Sequence, residues 1–239
     1  MKTLRIVFCL AVLLCLCAVP VFAVTGEELL ASADVYLTFD NGIEDVNGKY
    51  TVFSEGDTPL VEGKFGQAAN CQAGENYLTV DGFVFGTNSF TVSAWVRQHA
   101  VEGDPVLFGN KDWQSGKNPG WLLSARTNDW KYNANVPDGT RTDTEYPYSS
   151  APGVTSIDEW NHLVISVDRA AETYTFYVNG QKYGKTTDFS ANGHTDVTYD
   201  DEDMEYPFNI GEDGTGIVNL AQTFDVDFDE VAVFLRALN

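Results

Sequence analysis

The sequence predicts an all-β sandwich of two packed antiparallel sheets. Three observations carry that reading: apolar and polar residues alternate with period two, Gly- and Asn-containing turn pairs separate the alternating runs, and helical periodicity is almost absent. Glu27–Ser32 fits one short helical turn ahead of the first strand. DVYLTFD (Asp34–Asp40) then reads as a strand ending at the Asn41-Gly42 turn pair, and ENYLTVDG (Glu75–Gly82) as another. In SFTVSAWVRQ, Phe90, Val92, Ala94 and Val96 share one face, while Thr91, Ser93, Trp95 and Arg97 share the other. That strict alternation places one face of the strand in a core.

PVLFGN and GWLLSAR form the next pair of strands, joined by Gly109–Gly120. The clearest hairpin is NHLVISVDR (Asn161–Arg169) against ETYTFYVNGQKYG (Glu172–Gly184), whose second arm reaches Asn179-Gly180, a type I′ turn signal. EYPFNIGE (Glu205–Glu212) and DVDFDEVAVFLRA (Asp225–Ala237) supply the last strands. A total of about a dozen short strands suits two antiparallel sheets. Pro137–Ser156 and Gly184–Glu205 are long for sandwich loops.

The first residues read as a secretory signal peptide. Lys2 and Arg5 precede an apolar run from Ile6 to Val19, and Val21-Phe22-Ala23 supplies a cleavage site after Ala23. Residues 1–23 are thus expected to leave a secreted domain of residues 24–239. Cys9, Cys15 and Cys17 go with the leader, so Cys71 has no disulfide partner and is expected to be a small buried side chain. Loss of Lys2 and Arg5 takes the formal charge from −21 to −23. Such a surface repels nucleic acid and anionic lipid and favours cations and neutral ligands. No later stretch approaches the roughly 20 apolar residues of a membrane span, so membrane insertion is not expected.

YLTFDNG, GKFGQAANCQAGENYLTV, SFTVSAWVR, EWNHLVISVDRAAETYTFYVNGQ and DFDEVAVFLRALN follow one another in that order. The chain thereby resembles the laminin-G-like, concanavalin A-like lectin/glucanase group, in its bacterial secreted branch, across nearly all of Val35–Asn239. The resemblance implies a jelly-roll sandwich and a carbohydrate or protein ligand. It also implies a structural calcium between the first strand and the last. The matching positions are Asp40, Asn41 and Gly42 in FDNG and Asp229 in FDEVAVF. Calcium takes six to eight oxygens from carboxylates, carbonyls and water. The competing reading is a set of ordinary acidic turn residues, and Asp225 and Asp227 alternate beside Asp229 as rival carboxylates.

Trp113, in FGNKDWQSGKNPGW, either stacks on a sugar with Lys111, Asp112 and Gln114 bonding its hydroxyls, or packs on a sheet edge while its neighbours cap the turn. Lys111 stands where a phosphate loop needs Gly, and Asn118 follows Lys117, so the segment is no P-loop. Trp130 and Tyr132 alternate with Lys131 and Asn133, and are either a sugar platform or core. Tyr146 and Tyr148 flank Pro147 in the first long loop, where they are candidates to line the same cleft. The ligand contacts expected from the sequence are therefore Trp113, Trp130 and Tyr146.

Catalysis finds less support. Glucanases of this fold carry carboxylates on alternate residues of one strand, whereas Glu202 and Asp203 in DDEDMEYP are adjacent, with Glu205 beyond them. His99, His162 and His194 form no zinc motif. The expected function is a secreted, non-catalytic carbohydrate-binding module. A protein-interaction or adhesion module is the alternative, and a glycoside hydrolase is the more remote one.

Overall fold

The computed structural model describes residues 25–114, 120–126, 130–135, 141–146, 156–171, 173–188 and 206–238. The described chain starts with helix α1 (Gly26–Ala31), which opens on a capping box: Thr25 accepts from the Glu28 backbone, and Glu28 reaches back to Thr25. Among the described residues no helix is long and apolar enough to cross a membrane.

Fifteen strands follow among the described residues, in two antiparallel sheets. Sheet A runs β13 (Gln181–Asp188), β12 (Thr173–Val178), β11 (Trp160–Asp168), β6 (Phe90–Glu102), β15 (Thr223–Phe234), β4 (Gln67–Gln72), β3 (Leu60–Glu62), with β1 (Val35–Leu37) also paired to β15. Sheet B runs β10 (Arg141–Tyr146), β9 (Trp130–Asn135), β8 (Gly120–Ala125), β7 (Val106–Gly109), β14 (Phe208–Ile210), β5 (Tyr77–Asp81), β2 (Thr51–Glu55). Hairpins between consecutive strands are joined by pairings between strands distant in sequence, such as β6–β15, β4–β15 and β7–β14, as in the jelly-roll arrangement expected.

The alternation in β6 plays out as read. Phe90, Val92, Ala94 and Val96 are buried between the sheets, and Trp95 and Arg97 are on the outer face. The β11–β12 hairpin forms in the expected register, with Leu163 opposite Val178 and Ile165 opposite Phe176. Asn179 (φ 50°) and Gly180 (φ 76°) both take the left-handed backbone that a type I′ turn requires. The core is strongly aromatic: Trp121 stacks on Phe90 at 4.9 Å between ring centroids, and Phe85 meets both Trp121 and Phe208 edge to face. Cys71 is free and buried in this core, as expected, and burial pushes its thiol pKa far up, away from reactivity.

Two details depart from the sequence reading. The first strand stops at Leu37, because Phe39 takes φ 61° to turn its ring into the core, where it is 1% exposed. Tyr146 lies at the end of strand β10, paired through its backbone with Trp130, and not in a long loop.

Asp45 organises the connection from β1 to β2. Its carboxylate is buried and accepts from four backbone N–H groups: Tyr36 (2.9 Å) and Asn47 (3.2 Å) on Oδ1, Lys49 (2.9 Å) and Tyr50 (3.2 Å) on Oδ2. Removing a buried charged acceptor strands several donors at once, so Asp45→Ala should lower unfolding free energy by about 3 kcal/mol. Asp45→Asn, which keeps one acceptor oxygen, should fall between the two in urea titrations at neutral pH.

Candidate functional site

The two carboxylates picked from the sequence meet at one turn. The β3–β4 turn, residues 63–66, is closed by Gly63 N–H donating to the Gly66 carbonyl at 3.0 Å. Asp229 Oδ2 accepts from Phe65 N–H at 2.9 Å, and Asp40 Oδ1 accepts from Gln67 N–H at 2.9 Å. The approach is close enough to demand glycine. A Cβ on Gly66 would lie 1.8 Å from Asp40 Oδ1, and one on Gly63 would lie 2.7 Å from Asp229 Oδ2. Gly66 also takes φ +57°.

Strand pairing explains why a carboxylate is buried here. Along the edge of β15 opposite β6, β4 pairs with Asp225–Phe228 and β1 pairs with Val231–Val233. Asp229 and Glu230 fall in the gap between these two partners, where the β15–β6 register also shifts. Glu230 takes φ 51°, and Phe39, just before Asp40, takes φ 61°. Bulky residues in the left-handed region persist only where surrounding structure holds them there.

Asp229 is fully buried, and its Oδ1 has no hydrogen-bond partner. Burial raises its pKa to about 6, against the opposing bonds from the Phe65, Glu230 and Lys64 backbones. The Tyr36 hydroxyl donates to Glu230, and its phenol is pushed well up by burial, by Glu230, and by the charges of Asp229 and Asp40. Asn41 is exposed, and Gly42 N–H bonds back to the Phe39 carbonyl at 3.3 Å. The residues fit a hard cation: an orphaned buried carboxylate oxygen, a second carboxylate across the turn, and a tight backbone bend with carbonyls. No group of three or more His, Cys, Asp or Glu side chains with metal-holding geometry occurs among the described residues, so carbonyls and water would complete the shell.

Trp113 lies on the outer face of sheet B. Its backbone N–H donates to Asp213 Oδ2 at 2.9 Å, and Asp112 Oδ1 accepts from the Gln114 backbone N–H at 2.7 Å. The indole packs on Val106, Leu122 and Val218, with Lys131 Nζ 4.5 Å and Lys111 Nζ 5.9 Å from the ring centroid. Beneath it, Lys111 Nζ bonds Asn133 Oδ1 at 3.0 Å and Lys131 Nζ bonds Asp104 Oδ2 at 3.3 Å. Both readings of the segment thus have a physical basis: the turn is capped and the indole packed, yet the residue is only half-buried and the neighbouring Gln114 is exposed.

The other two ligand candidates fare differently. Trp130 is 0% exposed and faces the core from β9, so no surface ligand reaches it. Tyr132 shares that inward parity and stacks near Tyr174 at 4.9 Å. For Tyr146 the structure places the backbone only, beside Trp130; its side chain, Tyr148, and the Glu202, Asp203 and Glu205 group lie outside the described residues.

The sequence reading missed two buried networks. Asp227, on the outer face of sheet A, is 1% exposed and accepts from Arg97 Nε at 2.8 Å and Asn70 Nδ2 at 2.8 Å, and bonds His99 Nε2 at 2.7 Å. His99 Nδ1 bonds Asp158 at 2.6 Å. Glu212, buried, accepts from Asp213 and Asn219 N–H groups and fixes the loop over sheet B; burial raises its pKa to about 7. The alternating acids Asp225 and Asp227 were visible in the sequence, but their partners come from strands far away along the chain.

Two antiparallel sheets, with the first and last strands side by side and two carboxylates gripping the β3–β4 turn beside them, define a jelly-roll sandwich of the lectin-like kind. Residues 72–239 match the family described as the Concanavalin A-like lectin/glucanases superfamily, and the chain belongs to that family. No curated protein matches the chain in sequence. Among solved structures, the binding domain of Paraclostridial Mosquitocidal Protein 1 is similar, at 19% identity and a TM-score of 0.67, over 88% of this chain and 50% of that one. The binding domain of Botulinum neurotoxin DC is similar in two complexes. One is with rat synaptotagmin II (12% identity, TM-score 0.64, 88% and 50% covered), the other with SialylT (12%, 0.64, 87% and 48%). The chain spans about half the length of these structures, and at such identities the likeness is one of fold.

The His99 network makes stability depend on pH. Burial disfavours the imidazolium, but bonds to Asp227 and Asp158 and the charges of Asp227 and Asp225 outweigh it, so the pKa is raised above 6.5. A raised folded-state pKa means that the native state binds the proton more tightly. The contribution is complete below pH 6.5 and is lost as pH rises through the folded pKa. The stability difference between the protein and His99→Gln should therefore be largest near pH 5–6 and shrink in alkaline buffer. A difference that does not vary with pH would refute the assignment.

Proposed function

We propose that this chain is a secreted, non-catalytic binding module for carbohydrate, stabilised by one calcium. The observation that carries the ligand reading is Trp113. A half-buried indole on the outer face of a sheet, flanked in its own turn by Asp112 and the exposed Gln114, joins an apolar ring to the hydrogen-bonding groups a sugar needs. The family and the likeness to a toxin binding domain solved with SialylT agree with it. The same toxin domain solved with rat synaptotagmin II favours a protein partner as the second reading. The leader-like residues 1–23 and the strongly acidic composition suit an extracellular role. A glycan array with Trp113→Ala beside the parent protein tests the ligand. Saturable glycan binding lost in the variant supports the carbohydrate reading. Binding to no glycan supports a protein partner, and release of reducing ends from a polysaccharide overturns the non-catalytic assignment.

Calcium would be held by Asp40 and Asp229, with carbonyls near Asn41 and Gly42. Its chemistry there is structural: it would neutralise two carboxylates that share a turn and satisfy the orphaned Asp229 oxygen. Ligand at a hundredfold excess over Kd adds about 2.7 kcal/mol to stability, or roughly 5–10 °C in Tm for a chain of this size. Chelator should lower Tm by that order and millimolar calcium should restore it. Asp40→Ala and Asp229→Ala should abolish the response, with one calcium per chain in equilibrium dialysis. Unchanged affinity in both variants would remove these residues from the site.

A further inference from the structure

A second concavity lies on the opposite side of the molecule from Trp113, between α1 and the outer face of sheet A. Its walls are Leu29 and Leu30 of α1, Val164 and Tyr177 of β11 and β12, and Phe234 and Leu238 near the C-terminal end. It measures about 390 Å³, within the range of roughly 300–1,000 Å³ typical of small-molecule sites. Its chemistry contrasts with the rest of the chain. Asp and Glu number 35 and Lys and Arg 14, yet none of them is among the described residues that line this cleft.

The polar groups on its floor are neutral and few. Ser93 Oγ and His162 Nε2 bond each other at 2.8 Å. Burial lowers the His162 pKa, so the imidazole is uncharged at neutral pH. Trp95 supports the ring at 5.2 Å between centroids. Ser93 and His162 both line the cleft, so the pair presents a hydroxyl and a neutral imidazole to it. Arg236 lies 5.1 Å from the Phe234 ring and bonds Ser32 Oγ, but it is not among the described residues that line the cleft. A carboxylate or ammonium seated between the walls would therefore lose hydration with no lining charge to pair with. A hydroxyl loses little, because the neutral Ser93–His162 pair can replace the water.

We propose that this cleft binds an uncharged amphiphile: an alkyl or aryl chain packed between α1 and sheet A, with a single hydroxyl bonded at the Ser93–His162 pair. The apolar walls take up the chain and the neutral floor selects its head group. Gly26 stands at the α1 side of the cleft, and a Cβ there would have no atom within 4 Å, so bulk can be added without a clash.

The test uses the neutral fluorescent probe N-phenyl-1-naphthylamine, displaced by decan-1-ol or by decanoate at pH 8, in the protein and in Gly26→Phe and His162→Phe. One saturable probe site per chain is expected, with decan-1-ol displacing it at least about tenfold better than decanoate. Gly26→Phe should weaken the probe at unchanged Tm. His162→Phe should keep the probe but weaken decan-1-ol several-fold, the loss of one hydrogen bond. Absence of saturable binding, equal displacement by decanoate, or binding indifferent to Gly26→Phe would overturn the proposal. So would a dimer in sedimentation that Gly26→Phe dissociates, which would assign the cleft to a second copy of the chain.

Discussion

The structure depends most on the position of its last strand. β15 lies inside sheet A, bonded to β6 along one edge from Thr223–Glu102 to Phe234–Thr91. Its other edge is shared between β4 and β1, two short strands from the first third of the chain. Sheet A therefore closes only when residues separated by nearly the whole sequence have met. The handover from β4 to β1 leaves a break in the hydrogen-bond ladder, and unpaired backbone in a sheet interior must be satisfied by something else. Asp229 fills that break with a carboxylate that bonds the β3–β4 turn, and Glu230 adopts a left-handed backbone to restart the pairing. The candidate cation site is thus a consequence of topology: the sheet changes partners there, and a buried charge bridges the change.

The same economy governs the other buried charges. Asp227 lies two residues before Asp229 and is enclosed by Arg97, His99 and Asn70, from β6 and β4. Asp45 closes a loop through four backbone amides, and Glu212 closes another over sheet B. Asp45 and Glu212 satisfy backbone N–H groups outside the strand ladders, while Asp227 gathers side chains from neighbouring strands. Of the 35 acidic residues, five are buried among the described residues, Asp45, Glu212, Asp213, Asp227 and Asp229, and this part of the negative charge is interior architecture rather than solvent-facing decoration.

The sandwich itself was legible because one face of each central strand is apolar and the turn residues are specific. Phe90, Val92, Ala94 and Val96 could point only one way, and Asn179-Gly180 could only turn. Asp40 and Asp229 could be paired from the family resemblance, although nothing local in the sequence says that they grip the same turn. Trp130 was misread for a physical reason. In WKYNAN both parities are buried, since Lys131 is 9% and Asn133 0% exposed beneath the loops over sheet B, so alternation does not reveal which face is core. Phe39 was misread because a strand pattern carries no sign that one residue will reverse its φ to deliver a ring inward.

The two outer faces of the sandwich end up chemically different, and the difference follows from what covers them. Sheet B is roofed by a loop pinned through Glu212, Asp213 and Asn219, so its polar floor is sheltered and Trp113 rests at the rim. Sheet A is covered at one end by α1, whose Leu29 and Leu30 pack with Ala33, Ala232, Phe234 and Leu238. At its other end the face is held by ion pairs around Asp227. Between these ends Trp95 and His162 stack, with Lys64 of the β3–β4 turn over Trp95 at 4.6 Å and Phe65 against its edge at 6.0 Å. Because Asp229 bonds the Phe65 backbone, the gap in the ladder, the β3–β4 turn and the outer aromatic face form one mechanically continuous unit. A cation held at Asp229 would bear on that face through a single turn and a single ring.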